Sequence, residues 1–295
     1  MTDAAVPASA AQGGMPVPAR ARVLEAVDQV AAAFPFPGYI REGARQAMAE
    51  IVPRIAREVR TPHPRLLDIG CGPMDKTAVM QRLGFDCHAV DDLSDPWHRR
   101  GGNLERILDF ARGQGIRFHL QDATYAIPFP LESFDVVTVF DVIEHLHQSP
   151  RELLNAAGAH LRPGGVLAVT MPNAANLRKR VDVLRGRSNY PPVDQFYLSH
   201  EGWRGHVREY TLAETAHLCR LAGFEVLGAT SFEGNAHDML RGVPLRLFLA
   251  MVRAAPGLGS GLLVVARKPE GWAPVQPDPE AFRRAQAGSV PDAVR

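Results

Sequence analysis

A glycine-rich turn directly after a short apolar run is the feature that most limits how this 295-residue chain can fold. Leu66 and Leu67 lead into Asp68, Gly70 and Gly72. The apolar run predicts a strand, and only small residues allow the following turn to bring backbone close to a ligand at the carboxyl edge of a sheet. A Gly-x-Gly turn alone is often only a tight turn. The other motifs along the chain decide whether this turn approaches a ligand or is only a tight turn.

Composition and charge favour an ordinary enzyme domain and exclude several other classes. With 46% hydrophobic and 22% charged residues, the chain can bury one substantial core plus appendages. The formal net charge is +1 and no Lys/Arg-rich cluster follows one face, so we expect a small or neutral substrate and no nucleic acid. Three cysteines without paired spacing indicate neither a disulfide framework nor a cysteine metal site, which predicts a reducing, cytoplasmic compartment.

The composition changes along the chain and suggests a division into segments. Residues 1–20 are rich in Ala, Pro and Gly without the pattern of a signal peptide, so we predict a disordered tail. Residues 21–60 read as an N-terminal helical cover, residues 61–270 as the main domain and residues 271–295 as a flexible tail. Residues 173–210 form a long insert in the main domain, and connections of this length are usually functional, as lids or acceptor-recognition segments.

From residue 65 onwards, short apolar runs alternate with helical patterns. This alternation predicts an α/β fold with a doubly wound, mostly parallel seven-stranded sheet. We expect the seventh strand to insert antiparallel beside the sixth, and Pro53 to kink or divide its helix. The predicted strands span 65–69, 86–90, 116–120, 134–140, 166–170, 225–229 and 262–267, and the predicted helices span 21–33, 42–59, 76–83, 103–113, 150–161 and 212–222.

An apolar segment and a basic segment could each contact solvent, the rest of the protein or a binding partner. Residues 243–266 are apolar but interrupted by arginines, glycines and a proline, which are costly in a bilayer, so we predict no membrane span. Within them, residues 244–254 form a helix that we interpret as a packed cover, with a membrane-surface anchor as the alternative. The basic residues between 178 and 187 either bind a phosphate or carboxylate of a substrate or form a solvated helix face.

Several motifs follow one another in an order typical of one enzyme family. They are a glycine-rich motif at 66–72, an acidic strand end at 89–92, an Asp-Ala pair within 121–123, a strand with its following helix at 134–146, and a Leu-Arg-Pro-Gly-Gly turn at 161–165. On these motifs, residues 65–268 resemble the class I S-adenosylmethionine-dependent methyltransferases, in the branch that includes ubiquinone-pathway and polysaccharide-cluster O-methyltransferases. The resemblance implies a Rossmann-like methyltransferase fold and S-adenosyl-L-methionine as cofactor.

The resemblance also implies which carboxylates bind the nucleoside part of that cofactor. Asp91, at the end of strand two, would accept hydrogen bonds from both ribose hydroxyls, and Asp92 is the alternative because the register is uncertain by one residue. Asp122 would accept a hydrogen bond from the adenine amine, beside the backbone amide of Ala123.

The amino-acid part of the cofactor is assigned to the glycine-rich turn. Gly70 and Gly72 let backbone approach it, while Asp68 is expected to order the loop by bonding to amides. Asp141, after strand four, completes the predicted cofactor-binding set. The family normally has a small residue where this chain has Met74, which narrows the loop.

Two of the eleven histidines are candidate catalytic residues, His145 and His206. An alcohol that loses its proton during methylation needs a general base, and histidine suits that role near neutral pH. A structural role is equally open for each. Alternatively, Asp141, Glu144, His145 and His206 are similar to the metal site of small-RNA 2′-O-methyltransferases and of some ubiquinone-pathway enzymes, and would suit Mg²⁺, Mn²⁺ or Zn²⁺. Our prediction includes no metal ligand.

The sequence thus predicts a cytoplasmic S-adenosylmethionine-dependent methyltransferase that modifies a hydroxyl on a sugar, glycan or secondary metabolite. A quinone or polyketide O-methyltransferase is the alternative within enzymes. A protein that binds S-adenosylmethionine without catalysis is the alternative of another class, because Met74 is unusual. A nicotinamide dehydrogenase is disfavoured, since the turn lacks the third glycine of the dinucleotide pattern.

Overall fold

The computed structural model describes residues 13–121, 126–199, 203–255 and 257–287. A single sheet forms the centre of the described part. Its strands are β1 (Arg65–Ile69), β2 (Asp86–Asp91), β3 (Arg117–Leu120), β4 (Phe134–Phe140), β5 (Leu161–Pro172), β6 (Glu225–Phe232) and β7 (Gly261–Arg267).

The strand order confirms the predicted doubly wound sheet. Neighbouring strands follow the order β3-β2-β1-β4-β5-β7-β6. Strand β7 runs antiparallel to both β5 and β6, whereas the pairs among β1 to β5 are parallel. Every residue of β4 is buried, as expected for a central parallel strand covered on both faces. The order in which strands are added to the sheet reverses at β1, which has β2 on one side and β4 on the other, and this is where α/β sheets commonly open a ligand crevice.

Helices cover both faces of the sheet. On one face, α1, α2, α3 and α5 pack against strand residues such as Leu66, and on the other α6 and α9 pack against residues such as Leu67. This alternation follows from the two-residue period of strand side chains. The helices are α1 (Arg20–Ala33), α2 (Glu42–Glu58), α3 (Asp75–Arg82), α4 (Pro96–Arg99), α5 (Asn103–Gln114), α6 (Arg151–His160), α7 (Leu177–Leu184), α8 (Val193–Tyr197), α9 (Leu212–Leu221), α10 (Asn235–Met239), α11 (Gly242–Ala254) and α12 (Pro279–Ala287).

Two local predictions need correction. Helix α2 continues through Pro53 and is not divided there, because Met48, Val52 and Ile55 bury one face of it on both sides of the proline. Strand β5 begins at Leu161, five residues before the predicted start. Leu161 pairs with Phe134, and the register then shifts, so the Leu-Arg-Pro-Gly-Gly segment is an irregular part of the strand and not a turn before it.

The segments outside the sheet differ in how much of their surface is covered. Helix α11 buries Val252 alone and is a cover on one side only. The insert contains α7 and α8, neither of which has a buried residue. Beyond the sheet, the indole N–H of Trp272 donates to the Ala222 carbonyl at 2.8 Å, so the first residues after 270 contact the domain. Within the described residues, no helix has the length and apolarity needed to cross a bilayer.

Candidate active site

The glycine-rich turn has the backbone that its sequence predicts. Gly70 and Gly72 have φ angles of +75° and +52°, in the left-handed region that favours glycine. A Cβ on Gly70 would lie 2.5 Å from a methyl group of Val142, whereas a Cβ on Gly72 would meet nothing within 4 Å. The first glycine is therefore needed for close packing and the second leaves open space beside the backbone.

Met74, two residues after Gly72, is the position at which this chain departs from the family pattern. Its φ of +64° is left-handed, which is uncommon for a residue with a side chain. The side chain is fully buried in the core, and the Met74 carbonyl accepts the hydrogen bond of the Ala78 amide at 2.9 Å in the first turn of α3. The methionine thus points into the core on the α3 side of the sheet.

Asp68 is a buried carboxylate whose two oxygens both have partners. Oδ1 accepts a hydrogen bond from the Thr138 hydroxyl at 2.8 Å and Oδ2 accepts one from the Thr77 hydroxyl at 2.5 Å. We expected bonds to loop amides, but hydroxyls of β4 and α3 supply them. Burial raises the pKa of Asp68 to about 6, against the opposing effect of both hydroxyls.

A cavity of about 680 Å³ opens at the carboxyl edge of β1, β2 and β4. Gly70, Gly72, Asp91 and Asp92 line one side of it. His145 lines the same cavity. The structure therefore brings together the glycine turn, the acidic end of β2 and one of the candidate histidines.

The two neighbouring carboxylates of this cavity bond differently. Asp91 accepts hydrogen bonds from the Gly72 amide at 2.8 Å and from the Leu93 amide at 2.6 Å. Asp92 accepts one from the Ser94 amide at 2.8 Å. Burial raises the pKa of Asp91, although the two amides oppose the shift. Asp91 therefore connects β2 to the glycine turn, which Asp92 does not contact through these bonds.

Asp141 lies between two cavities. It lines the 680 Å³ cavity and also a second one of about 400 Å³, bounded by α2 and the ends of β5 to β7. Its φ is +58°, and its carboxylate pairs with the ammonium of Lys76 and accepts a hydrogen bond from the Thr170 hydroxyl at 3.2 Å. Burial alone would raise the pKa of Asp141, but Lys76 lowers it below its ordinary value.

The remaining predicted cofactor residues, Asp122 and Ala123, lie outside the described residues. The sequence predicted His145 and His206 as candidate bases and, in the metal alternative, as members of one cluster, and the structure places the two rings side by side. Their ring centroids are 5.0 Å apart.

Glu144 completes a cluster with these two histidines. One ligand atom of each of Glu144, His145 and His206 lies within 4.8 Å of the others, and the described residues form no second such group of three. Glu144 is fully buried, yet neither of its carboxylate oxygens has a hydrogen-bond partner. Burial raises its pKa to about 8, and the nearby charge of Asp141 adds to this. A buried, unpartnered carboxylate is rare and needs an explanation.

Hydrogen bonds determine which ring nitrogen each histidine presents. Nδ1 of His145 lies 2.9 Å from the Arg204 carbonyl, which can only accept, so this nitrogen carries the proton. Nδ1 of His206 lies 2.7 Å from a carboxylate oxygen of Glu209, which in turn pairs with Lys179. With the proton on Nδ1, the neutral form of each ring has its lone pair on Nε2. Burial, with His145 and Lys179 nearby, lowers the pKa of His206 and favours the neutral ring.

The predicted catalytic set left out two carboxylates that lie at these histidines, Glu144 and Glu209. Glu144 entered only through the metal alternative, and Glu209 did not enter at all. Adjacency to His145 in the chain was a signal for the first. For Glu209, the signal was its place three residues after His206, but an i, i+3 pair in a loop predicts no contact. The metal alternative included Asp141, which the structure instead pairs with Lys76.

Comparisons with known proteins agree with this architecture. A family model described as a methyltransferase domain matches residues 40–229. A probable S-adenosylmethionine-dependent methyltransferase of Mycolicibacterium smegmatis is 37% identical over 166 residues, 50% of this chain and 57% of that protein. The ubiquinone biosynthesis O-methyltransferase of Caulobacter sp. is 35% identical over 118 residues, 39% of this chain and 44% of that protein. The chain thus spans about half the length of these curated relatives.

A solved structure supports the fold over most of the chain. The 4+2 cyclase SpnF matches with a TM-score of 0.52 and 17% identity, covering 88% of this chain and 100% of that one. At this identity the likeness concerns the fold alone. The family model covers well over half of the chain. This chain belongs to the methyltransferase domain family.

Proposed function

We propose that this protein transfers a methyl group from S-adenosyl-L-methionine to a hydroxyl of a sugar, glycan or other secondary metabolite. One observation carries the proposal: His145, part of the Glu144–His145–His206 cluster, lines the same cavity as Gly70, Gly72 and Asp91. A nucleoside site and a candidate base therefore share one crevice. The matched methyltransferase family and its relatives support the choice of reaction and cofactor.

The residues around the cavity fit this cofactor. The turn at Gly72 offers open space beside backbone in a conformation suited to close approach. Each oxygen of Asp91 accepts one amide, and a carboxylate has about four lone-pair sites, so capacity remains for ribose hydroxyls. Asp141 would face the α-ammonium group at the amino-acid end. A cavity of about 680 Å³ is within the range of small-molecule sites.

The reaction balances with the groups present. When bound, the cofactor supplies an electrophilic methyl group on a sulfonium sulfur. The acceptor oxygen would take this methyl group, sulfur would keep the electron pair of the broken C–S bond, and the hydroxyl proton would leave. Nε2 of His206 or His145 has the free lone pair that takes this proton. Glu209 holds His206 in the required tautomer and stabilises its protonated form.

Glu144 supports a second role for the same cluster. Two imidazoles with Nδ1 engaged and a carboxylate without partners are the arrangement in which outer hydrogen bonds orient metal-binding histidines. A divalent cation there would satisfy Glu144 and lower the pKa of a bound hydroxyl. Chelation separates the two roles. Turnover that survives a chelator supports a histidine base, whereas loss of turnover restored by Mn²⁺ or Mg²⁺ supports the cation.

The first experiment does not require a known acceptor. Metabolite extracts are incubated with the protein and S-adenosyl-L-methionine carrying a labelled methyl group, and labelled products are identified by mass spectrometry. Label in a sugar or glycan supports the proposal, and label in a quinone or polyketide supports the alternative suggested by the ubiquinone-pathway relatives. Binding of the cofactor without labelled product from any extract would indicate the non-catalytic alternative. Absence of binding would contradict the proposal as a whole.

A further inference from the structure

Two neighbouring segments expose large apolar side chains among arginines. The insert arm, residues 177–199, exposes Leu184 at 87% and Tyr197 at 83% of their surface. The α11 segment, residues 239–254, exposes Leu247 at 62%. Further exposed apolar residues in these segments are Val183, Tyr190, Val193, Phe196, Leu198, Met239, Val243 and Met251. Large apolar side chains exposed in this number within two segments are typical of a surface that binds something.

The two segments adjoin one another in the structure. The guanidinium of Arg178 contacts the sulfur of Met239 at 3.5 Å. The Leu177 amide donates to the Leu258 carbonyl at 3.0 Å, which ties the start of α7 to the chain just after α11. We call the insert arm and the α11 segment together the basic apolar surface.

Helix α11 separates its buried and exposed sides cleanly. At about 100° per residue, Val243, Leu247 and Met251 lie within an arc of about 80°, and buried Val252 points the opposite way from Val243. Arg246 and Arg253 fall on one flank of the exposed arc. A helix with an exposed apolar stripe bordered by arginines is the pattern of helices that lie in a membrane interface.

Charge indicates which occupant suits this surface. The basic apolar surface carries a formal charge of +6, whereas the whole chain carries +1, so the remainder of the protein is at −5. A symmetric dimer through this surface would place two such surfaces of +6 each against one another, which is a repulsive arrangement. An anionic lipid surface instead complements the charge and accepts the apolar side chains, and Tyr190 and Tyr197 suit its interfacial layer.

We propose that the basic apolar surface binds the surface of an anionic lipid bilayer, with α11 lying in the interface. The inference does not depend on the proposed function, because binding is measured without cofactor or acceptor. The full chain is sedimented with vesicles of phosphatidylcholine alone or mixed with phosphatidylserine. We expect binding to the mixed vesicles, weak binding to phosphatidylcholine, and weakening by salt.

Matched variants test whether the named residues are responsible. The double substitution Leu247→Glu/Met251→Glu should weaken binding to the mixed vesicles at least about tenfold. Arg246→Gln/Arg253→Gln should weaken it about tenfold, and it keeps the test valid if the first variant does not fold. Leu221→Glu on α9, at a position 58% exposed, is the control and should bind as the unmodified protein does.

Three results would overturn the inference. The first is no binding of the unmodified chain to mixed vesicles at low salt. The second is equal binding by all variants, or binding that ignores lipid charge. The third is a doubled mass by light scattering, without lipid, that Leu247→Glu/Met251→Glu abolishes, because a second copy would then cover the surface instead.

Discussion

The two halves of the candidate site treat their carboxylates in opposite ways. At the glycine turn, Asp68 and Asp91 each have hydrogen bonds to both oxygens. In the cluster, Glu144 is more deeply buried than Asp91 and has no hydrogen bond to either oxygen. Both halves are built from acidic residues next to strand ends, so residue type alone does not explain the difference.

The difference distinguishes a fixed half, which is ordered before a ligand binds, from a half in which a carboxylate is left without hydrogen bonds. The hydrogen-bonded carboxylates of buried Asp68 and half-buried Asp91 order the turn and β2 before any ligand arrives, and this preorganisation reduces the entropy lost on binding. An unsatisfied buried carboxylate is destabilising, as the pKa of about 8 for Glu144 indicates. Such local destabilisation is typical of functional sites, where the unsatisfied group is available to bind a ligand, a proton or a cation.

Loss of a cluster histidine should have the largest effect. We expect His206→Ala to lower turnover by about 10²–10⁴-fold with cofactor affinity retained, because the base or cation ligand is lost while the turn is untouched. Release of S-adenosylhomocysteine measures turnover, and calorimetry measures cofactor binding. His217→Ala is the control, since His217 is exposed on α9 and lines neither of the two cavities. A change of only a few fold would contradict the role of the cluster.

The pH dependence of stability tests the fixed half. Burial raises the pKa of Asp68 from 3.8 to about 6, so the folded state holds a proton that the unfolded state has lost between these values. Its contribution to the free energy of unfolding should therefore decrease by about 3 kcal/mol in total as pH rises from about 3 to about 7, with about 2 kcal/mol of that loss between pH 4 and 6.

Asp68→Asn removes this titration and leaves the remaining acids as they are. The difference in unfolding free energy between the two proteins, from urea titrations at several pH values, isolates it. A difference that is independent of pH from 4 to 7 would contradict a raised pKa at Asp68.

Removing the β2 carboxylate should weaken cofactor binding to a smaller extent. We expect Asp91→Ala to lower the affinity for S-adenosyl-L-methionine by about 1.5–3 kcal/mol, the range for hydrogen bonds to charged groups. Calorimetry gives the affinity, and thermal melting shows whether the loss of the Gly72 and Leu93 bonds unfolds the protein. Asp92→Ala is the matched control. A larger loss in Asp92→Ala would assign the ribose to the other carboxylate.

The smallest expected effect compares the two glycines of the turn. Both have left-handed backbone, so Gly72→Ala should cost about 1 kcal/mol of stability. Gly70→Ala should cost about 1–3 kcal/mol more, because its Cβ would meet Val142 at 2.5 Å. Chemical denaturation of the two variants measures the difference. Equal stabilities would show that Val142 moves aside freely.

Strong local patterns made most of the sheet predictable. The bounds of β1 and β4 agree with the prediction residue for residue, because apolar residues dominate each strand and a residue with left-handed backbone follows it, Gly70 after β1 and Asp141 after β4. The start of β5 was not predictable in the same way. Leu161 joins the sheet only through its pairing with Phe134, and a proline and two glycines gave no local sign of a strand.

The candidate site likewise has features that follow from local sequence and features that depend on contacts distant in the chain. The glycine turn and Asp91 were predicted, since backbone conformation and a strand end are local properties of the sequence. The sequence did not predict that His206 pairs with Glu209 or that Glu144 is buried. Both features depend on how residues 203–210 fold back against the end of β4.

By itself, the sequence determined the order of strands and helices, the glycine turn and the acidic end of β2, because steric limits on backbone and the period of apolar residues act over a few neighbours. The tertiary structure alone decided which carboxylates are satisfied. Asp68 finds hydroxyls on β4 and α3, while Glu144 finds none. It also decided that one side of α11 stays exposed. Desolvation and hydrogen bonding depend on groups distant in the chain, and only the packed fold brings those groups together.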